Sequence, residues 1–236
     1  MKDDVAYLQK GRGKDLVLLH GYMSSKEAFT AQIAYFSKFY RVTALDFLGF
    51  GGSGPLTKPF SVSDYAEWTK EKLVALGVVK PCVIAHSFGC RVALKMAEGR
   101  GQVFDKLLLT GPAGVILKRG FVYKAKVGAY RFVKKFAPKF AEKRFGSEEY
   151  KKLPAIMRES YKKIVNEDLR ETASRVEVPT LIVEGKMDLT TPREEALAYL
   201  KALKRGRMIE MDGGHFAFAE NPVTFNLLAE EFFLND

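Results

Sequence analysis

Ser87 stands where one kind of sequence gives way to another. In CVIAHSFGCRVALKMA (82–97), Cys82 to Ala85 read as a short, apolar, buried strand. From Arg91 onward Val92, Leu94 and Met96 fall among charged neighbours at helical spacing. A serine at such a junction often caps a helix, so its neighbours matter. Ala85 and Gly89 flank Ser87 at two-residue spacing, a variant of G-x-S-x-G with alanine first. In that motif the turn is sharp and strained, the hydroxyl is lifted above the sheet, and bulk on either side blocks the turn. A serine held so can attack a carbonyl, given a base, an acid to orient the base, and N–H donors for the oxyanion.

Three histidines are available as the base. His20 ends a strand before Gly21, and His86 abuts Ser87, where its ring should point away from the serine. His215 follows the last strand in DGGHFAFAENP, on a glycine-rich loop that leaves its ring free to reach the site. His215 is the expected base. The acid should follow a late strand. PAGVI after KLLLTG offers no carboxylate, whereas KMDLTTP after TLIVEG offers Asp188, with Glu184 at the end of that strand as the weaker rival. Chain order Ser87, Asp188, His215 suits a sheet of this kind. The oxyanion donors should be the N–H of Phe88 and one from HGYMSS, Tyr22 first and Met23 as the alternative.

Strand-like and helical runs alternate around these residues. DLVLLH (15–20), a helix near 26–37, RVTALD (41–46) and a helix near 63–76 precede the serine segment. KLLLTG (106–111), TLIVEG (180–185), a helix near 193–203, GRMIEMDG (206–213) and the helical FNLLAEEFF follow it. That alternation predicts an α/β protein: a mostly parallel sheet of about seven strands, covered on both faces. DVAYLQ could add an antiparallel edge strand. Residues 116–175 break the rhythm with FVYKAKVGAYRFVKKF and PAIMRESYKKIV, amphipathic and jointed at Gly146 and Pro154. They read as a helical cap inserted over the strand ends, between core segments 1–115 and 176–236. Its aromatics, Phe121, Tyr123, Tyr130, Phe132, Phe136 and Phe140, either pack on the core or line an acyl pocket.

Five segments in order resemble the α/β-hydrolase superfamily across nearly the whole chain: LLHGYMSS, DFLGFGGSG (46–54), AHSFGC, LIVEGKMDLTTP and GGHFAFAENP. Alanine at the first elbow glycine and Cys90 at a frequent second glycine depart from the pattern, and the first of the usual eight strands looks missing. The resemblance implies a serine esterase that needs no metal or organic cofactor, acting on a small-molecule ester. Asp46 resembles a structural turn residue of that family. Arg91, four residues after Ser87, resembles the substrate-binding arginine of menaquinone-pathway lyases. It supports an alternative lyase or carbon–carbon bond hydrolase acting on an acidic small molecule. A non-catalytic ligand receptor on this fold is the other alternative.

The 236 residues suit one domain with an insertion. No apolar run reaches membrane-spanning length and MKDDVAYLQKGRGKD lacks a signal-peptide core. Cys82 and Cys90 sit in apolar segments, so a reduced, cytoplasmic protein is expected. The net charge of +10 is concentrated: residues 118–175 hold 17 Lys and Arg against 7 Asp and Glu, and the remainder is balanced. No nucleic-acid motif accompanies it, so no nucleic-acid partner is expected. The lysines read as a solvated face, and docking of the basic cap on an anionic membrane surface is a secondary reading. Oligomeric state is not legible in the sequence.

Overall fold

A computed structural model describes residues 5–99, 101, 103–117 and 153–235. The cap aromatics and Gly146 named above lie outside the described residues. Seven strands form one sheet: β1 (Tyr7–Lys10), β2 (Lys14–Leu19), β3 (Tyr40–Leu45), β4 (Cys82–His86), β5 (Leu107–Thr110), β6 (Thr180–Gly185) and β7 (Gly206–Met211). Their order is β1-β3-β2-β4-β5-β6-β7. Only β1 runs antiparallel, pairing Tyr7 with Leu45, as the edge-strand reading of DVAYLQ expected. The parallel pairs hold Leu19 opposite both Leu45 and Ala85, and Ala85 opposite Leu109. That register brings the carboxyl ends of the strands to one edge, where ligands bind in open α/β sheets.

Alternation along β2 to β6 feeds two cores. Leu16, Leu18, Val42, Ala44, Ile84, Leu108, Leu181 and Val183 face α1 (Thr30–Phe36) and α8 (Pro222–Leu234). Val17, Leu19, Leu45, Val83, Ala85, Leu107, Leu109 and Ile182 face α2 (Val62–Ala75), α3 (Phe88–Ala97) and α6 (Arg193–Ala202). Burial on both faces is why these strands read as continuous apolar runs. Three short helices complete the described chain: α4 (Ala155–Val165), α5 (Arg170–Ser174) and α7 (Ala217–Glu220).

The helix expected near 26–37 begins instead as a 3₁₀ turn, Lys26–Phe29. A buried anchor explains that start. Asp46, at the end of β3, accepts from the Lys26 N–H (2.7 Å) and from its ammonium (2.8 Å), which draws the chain inward. Asp46 Oδ2 also accepts from Gly52 N–H (2.8 Å), and the Asp46 carbonyl accepts from the Ser53 hydroxyl (2.7 Å). This closes the DFLGFGGSG loop around the carboxylate. Gly51, at φ +53°, leaves the room: a Cβ there would lie 2.3 Å from Asp46 Oδ2. No helix among the described residues is long and apolar enough to cross a membrane.

Candidate active site

β4 ends at His86 and α3 begins at Phe88, leaving Ser87 alone at the corner with φ +51°, ψ −108°. A left-handed φ on a residue with a Cβ costs roughly 1–2 kcal/mol, so the turn must be enforced from outside. The Ser87 N–H donates to the Thr110 carbonyl (3.1 Å), and the Cys90 N–H donates to the Ser87 carbonyl (3.1 Å). Gly89 allows the helix to approach the sheet: a Cβ there would lie 2.3 Å from the Leu19 carbonyl oxygen. Cys90 fits despite its bulk because its buried thiol donates to the Ala85 carbonyl (3.1 Å). Among described non-glycine residues only Met23, Lys80 and Ser87 have positive φ. Two of these three carry candidate site positions, and strained backbone tends to gather at functional sites.

Asp188 and His215 are brought together from separate loops. His215 Nδ1–H donates to Asp188 Oδ2 (2.7 Å), and the Thr191 hydroxyl donates to the same oxygen (2.8 Å). Asp188 Oδ1 accepts from the N–H groups of Thr190 (2.7 Å) and Thr191 (3.0 Å). Burial pushes this carboxyl's pKa up, but the bonds from His215 and Thr191 outweigh it and hold the value below the ordinary 3.8. The two loops are stitched by main chain: Lys186 N–H to Met211 carbonyl (3.0 Å) and Met187 N–H to Gly213 carbonyl (2.9 Å). Gly111, at φ +52°, packs flat against the pair. A Cβ there would come within 3.1 Å of His215 Nδ1 and 3.2 Å of Asp188 Oδ2.

Neither His20 nor Glu184 is hydrogen-bonded to this pair. His20 donates from Nδ1 to the Gly21 carbonyl (2.7 Å) and accepts at Nε2 from Phe47 N–H (3.0 Å), and burial lowers its pKa to about 4. It is a neutral tie between the ends of β2 and β3. Glu184 is 1% exposed, and neither of its carboxyl oxygens has a hydrogen-bond partner. Burial first, then the charges of Asp188, Glu195 and Glu210, push its pKa up to about 8. Asp188, not Glu184, is the carboxylate that His215 touches.

Tyr22 lies in a tight turn closed by Ser24 N–H to the Gly21 carbonyl (3.3 Å), with Met23 following at φ +56°. The Phe88 N–H is the first of the orphan donors that a helix leaves at its N-terminus. The Tyr22 hydroxyl donates to the Met157 carbonyl of α4 (3.2 Å), and its ring meets Phe50, Phe88 and Tyr161. Arg91 sits apart from this group. It is buried, and its Nη1 donates to the carbonyls of Ile164 (2.7 Å) and Glu167 (3.0 Å), just where α4 ends. Thr191 and Gly111 were missed in the sequence. The bond from Thr190 N–H back to Asp188 is the Asx turn that an aspartate before a helix favours, but nothing local marks the Thr191 hydroxyl. Among the described residues, no group of three or more His, Cys, Asp and Glu side chains is arranged to hold a metal ion.

The comparisons with known proteins agree with this fold. The model of the alpha/beta hydrolase family matches residues 16–226. The AB hydrolase superfamily protein YisY of Bacillus subtilis is 26% identical, over 94% of this chain and 92% of that protein. The (E)-2-((N-methylformamido)methylene)succinate hydrolase of Acinetobacter baylyi is 32% identical, but over only 43% of this chain and 38% of its own length. Among solved structures, an esterase from Exiguobacterium antarcticum superposes with a TM-score of 0.77 at 23% identity, covering 98% of this chain and 96% of that one. With the family model matching most of its length, the chain belongs to the alpha/beta hydrolase family.

Proposed function

We propose that this protein is a serine hydrolase that cleaves a small carboxylic ester through an acyl-enzyme on Ser87. The observation that carries the reading is the pairing of a strained serine at a helix N-terminus with an Asp188–His215 hydrogen bond of 2.7 Å. With its Nδ1 proton held by Asp188, His215 presents Nε2 as the base that takes the Ser87 proton. Ser87 Oγ attacks the ester carbonyl, and the N–H groups of Phe88 and Tyr22 hold the resulting oxyanion. His215 then returns its proton to the leaving alkoxide. Water, activated by the same ring, releases the acid. Asp188 stays ionised throughout, which keeps the imidazole in the required tautomer and stabilises its charged form.

Residues 116–175 act in this reading as a cap over the site. Support comes from α4, whose Met157 carbonyl and Tyr161 ring meet Tyr22 of the oxyanion turn. Relatives named as hydrolases of a succinate derivative and of a hexadienoic acid keep an acidic substrate in view as the second reading. Arg91 gives that reading little support, because its Nη1 is engaged by two main-chain carbonyls.

Hydrolysis of p-nitrophenyl esters from acetate to laurate, with Ser87→Ala as control, tests the proposal. Removing a triad serine costs on the order of 10⁶ in turnover, so the mutant should fall to background while the wild type shows a chain-length optimum. A mutant as active as the wild type, or no turnover of any ester, overturns the esterase reading.

A further inference from the structure

His86 is the third histidine, and the mechanism above does not use it. It is 1% exposed, and two separate segments, 215–218 and the turn at Gly21, meet on its ring. Its Nε2 lies 2.9 Å from the carbonyl oxygen of His215. A carbonyl only accepts, so Nε2 carries the proton and Nδ1 is a bare lone pair. Burial first, then the neighbouring His215, lowers its pKa to about 3, which keeps the ring neutral. Its ring centroid is 4.7 Å from that of His215, 4.8 Å from Phe216 and 4.8 Å from Phe218. On its other side Nδ1 faces Gly21: a Cβ on that glycine would lie 2.9 Å from Nδ1 and 3.5 Å from the Ser87 Cβ. Nδ1 itself has no hydrogen-bond partner.

These contacts divide the work of holding the base. The Asp188 bond fixes the rotation of the His215 ring, but it does not fix where the backbone carrying that ring sits. Two glycines precede His215, Gly213 at φ +133°, and the bonds from Met187 N–H to the Gly213 carbonyl (2.9 Å) and from Gly214 N–H to Glu220 Oε2 (2.7 Å) pin the loop before His215, not at it. The described hydrogen bond that reaches the His215 main-chain carbonyl from outside its loop comes from His86.

We infer that His86 is a positioning residue for the base: its neutral ring, anchored next to Ser87, holds the His215 carbonyl and so sets the base's height above the serine. The inference rests on the acyl-enzyme reading. It deepens that reading by giving the residue before the nucleophile a role in registering the two loops. His86 touches no reacting atom, so its loss should act on turnover and leave substrate binding intact.

Two substitutions separate this role from simple packing. His86→Phe keeps a flat ring in the same space and cannot donate. His86→Gln keeps a donor at a similar reach. The wild type and Ser87→Ala are measured first on the best p-nitrophenyl ester, so a failure of the acyl-enzyme reading shows there and not in the His86 variants. An ångström of misplacement costs on the order of 100-fold. The expected result is a kcat for His86→Phe lower by about ten- to 100-fold with KM within about threefold. His86→Gln should recover most of the turnover. Both should unfold cooperatively, and the same kcat ratio should appear in the rate of Ser87 acylation by a fluorophosphonate probe. A His86→Phe variant that keeps kcat, one whose loss lies in KM, or a His86→Gln variant no better than His86→Phe overturns the inference.

Discussion

Glu184 makes the interior of this fold sensitive to alkali, and Glu184→Gln measures by how much. The carboxyl sits at the end of β6 with no hydrogen-bond partner, facing Asp188 from the following loop, Glu195 from α6, Glu210 from β7 and the Cys90 thiol from α3. Its pKa rises from the ordinary 4.5 to about 8, chiefly through burial. The sign follows from proton counting. Between those two values the folded protein keeps a proton that the unfolded chain has lost, so stability falls as pH rises through the window and levels off above it. The window spans about 3.5 pH units at about 1.4 kcal/mol each, so the wild type gives up at most about 5 kcal/mol between pH 4 and pH 8.5. Water drawn to the charged carboxylate lowers that figure. Glutamine has nearly the same shape and leaves its amide equally unpartnered at every pH, so it removes the slope without changing the packing. Urea unfolding of both proteins at intervals from pH 4 to pH 9 reads the difference directly. The curves should nearly coincide at pH 4 and diverge steadily, with Glu184→Gln the more stable at pH 8.5. Parallel profiles, or a gap that narrows as pH rises, refute the reasoning.

Two further outcomes follow from the hydrogen bonds of the site. Arg91→Met keeps the buried stem but strips the donors from the Ile164 and Glu167 carbonyls; it should cost about 1–3 kcal/mol in thermal or urea unfolding, while turnover of esters falls far less than in Ser87→Ala. Thr191→Val removes the hydroxyl from Asp188 Oδ2 and so raises that carboxyl's depressed pKa. A depressed carboxyl stabilises the fold above its unfolded pKa and loses that effect as pH falls, so the deficit of about 1 kcal/mol should be present at pH 7 and shrink once Asp188 is protonated in both proteins.

The strands and the serine corner were legible because their signals are local. Alternation of strand-like and helical runs places β2, β3, β4 and β6 to within a residue or two, and the small neighbours of Ser87 announce the turn. Elimination singled out His215 and Asp188, since few residues of the right type follow late strands, and the structure joins those two by a hydrogen bond. The helices α5 and α7 were not, because four or five residues carry too little periodicity to register. The partners of Arg91 were hidden for another reason. They are carbonyls 73 and 76 residues away, and a main-chain acceptor leaves no mark in the sequence. Glu184 shows the same limit from the other side: its strand is plain, but the absence of any partner is a property of packing alone. The bond from His86 to the His215 carbonyl could be seen only once the loops were folded together.

The corner at Ser87 has a consequence for how such a sequence ages. A backbone at φ +51° suits glycine, which carries no steric penalty there, and a serine holds it only at a standing cost of roughly 1–2 kcal/mol. Substitution to glycine is therefore downhill for the fold and ruinous for any chemistry that needs the hydroxyl. If the proposed acyl-enzyme chemistry were no longer required, a single substitution at this corner would give the more stable chain and abolish that chemistry. The serine at this corner is thus held against the preference of its own backbone.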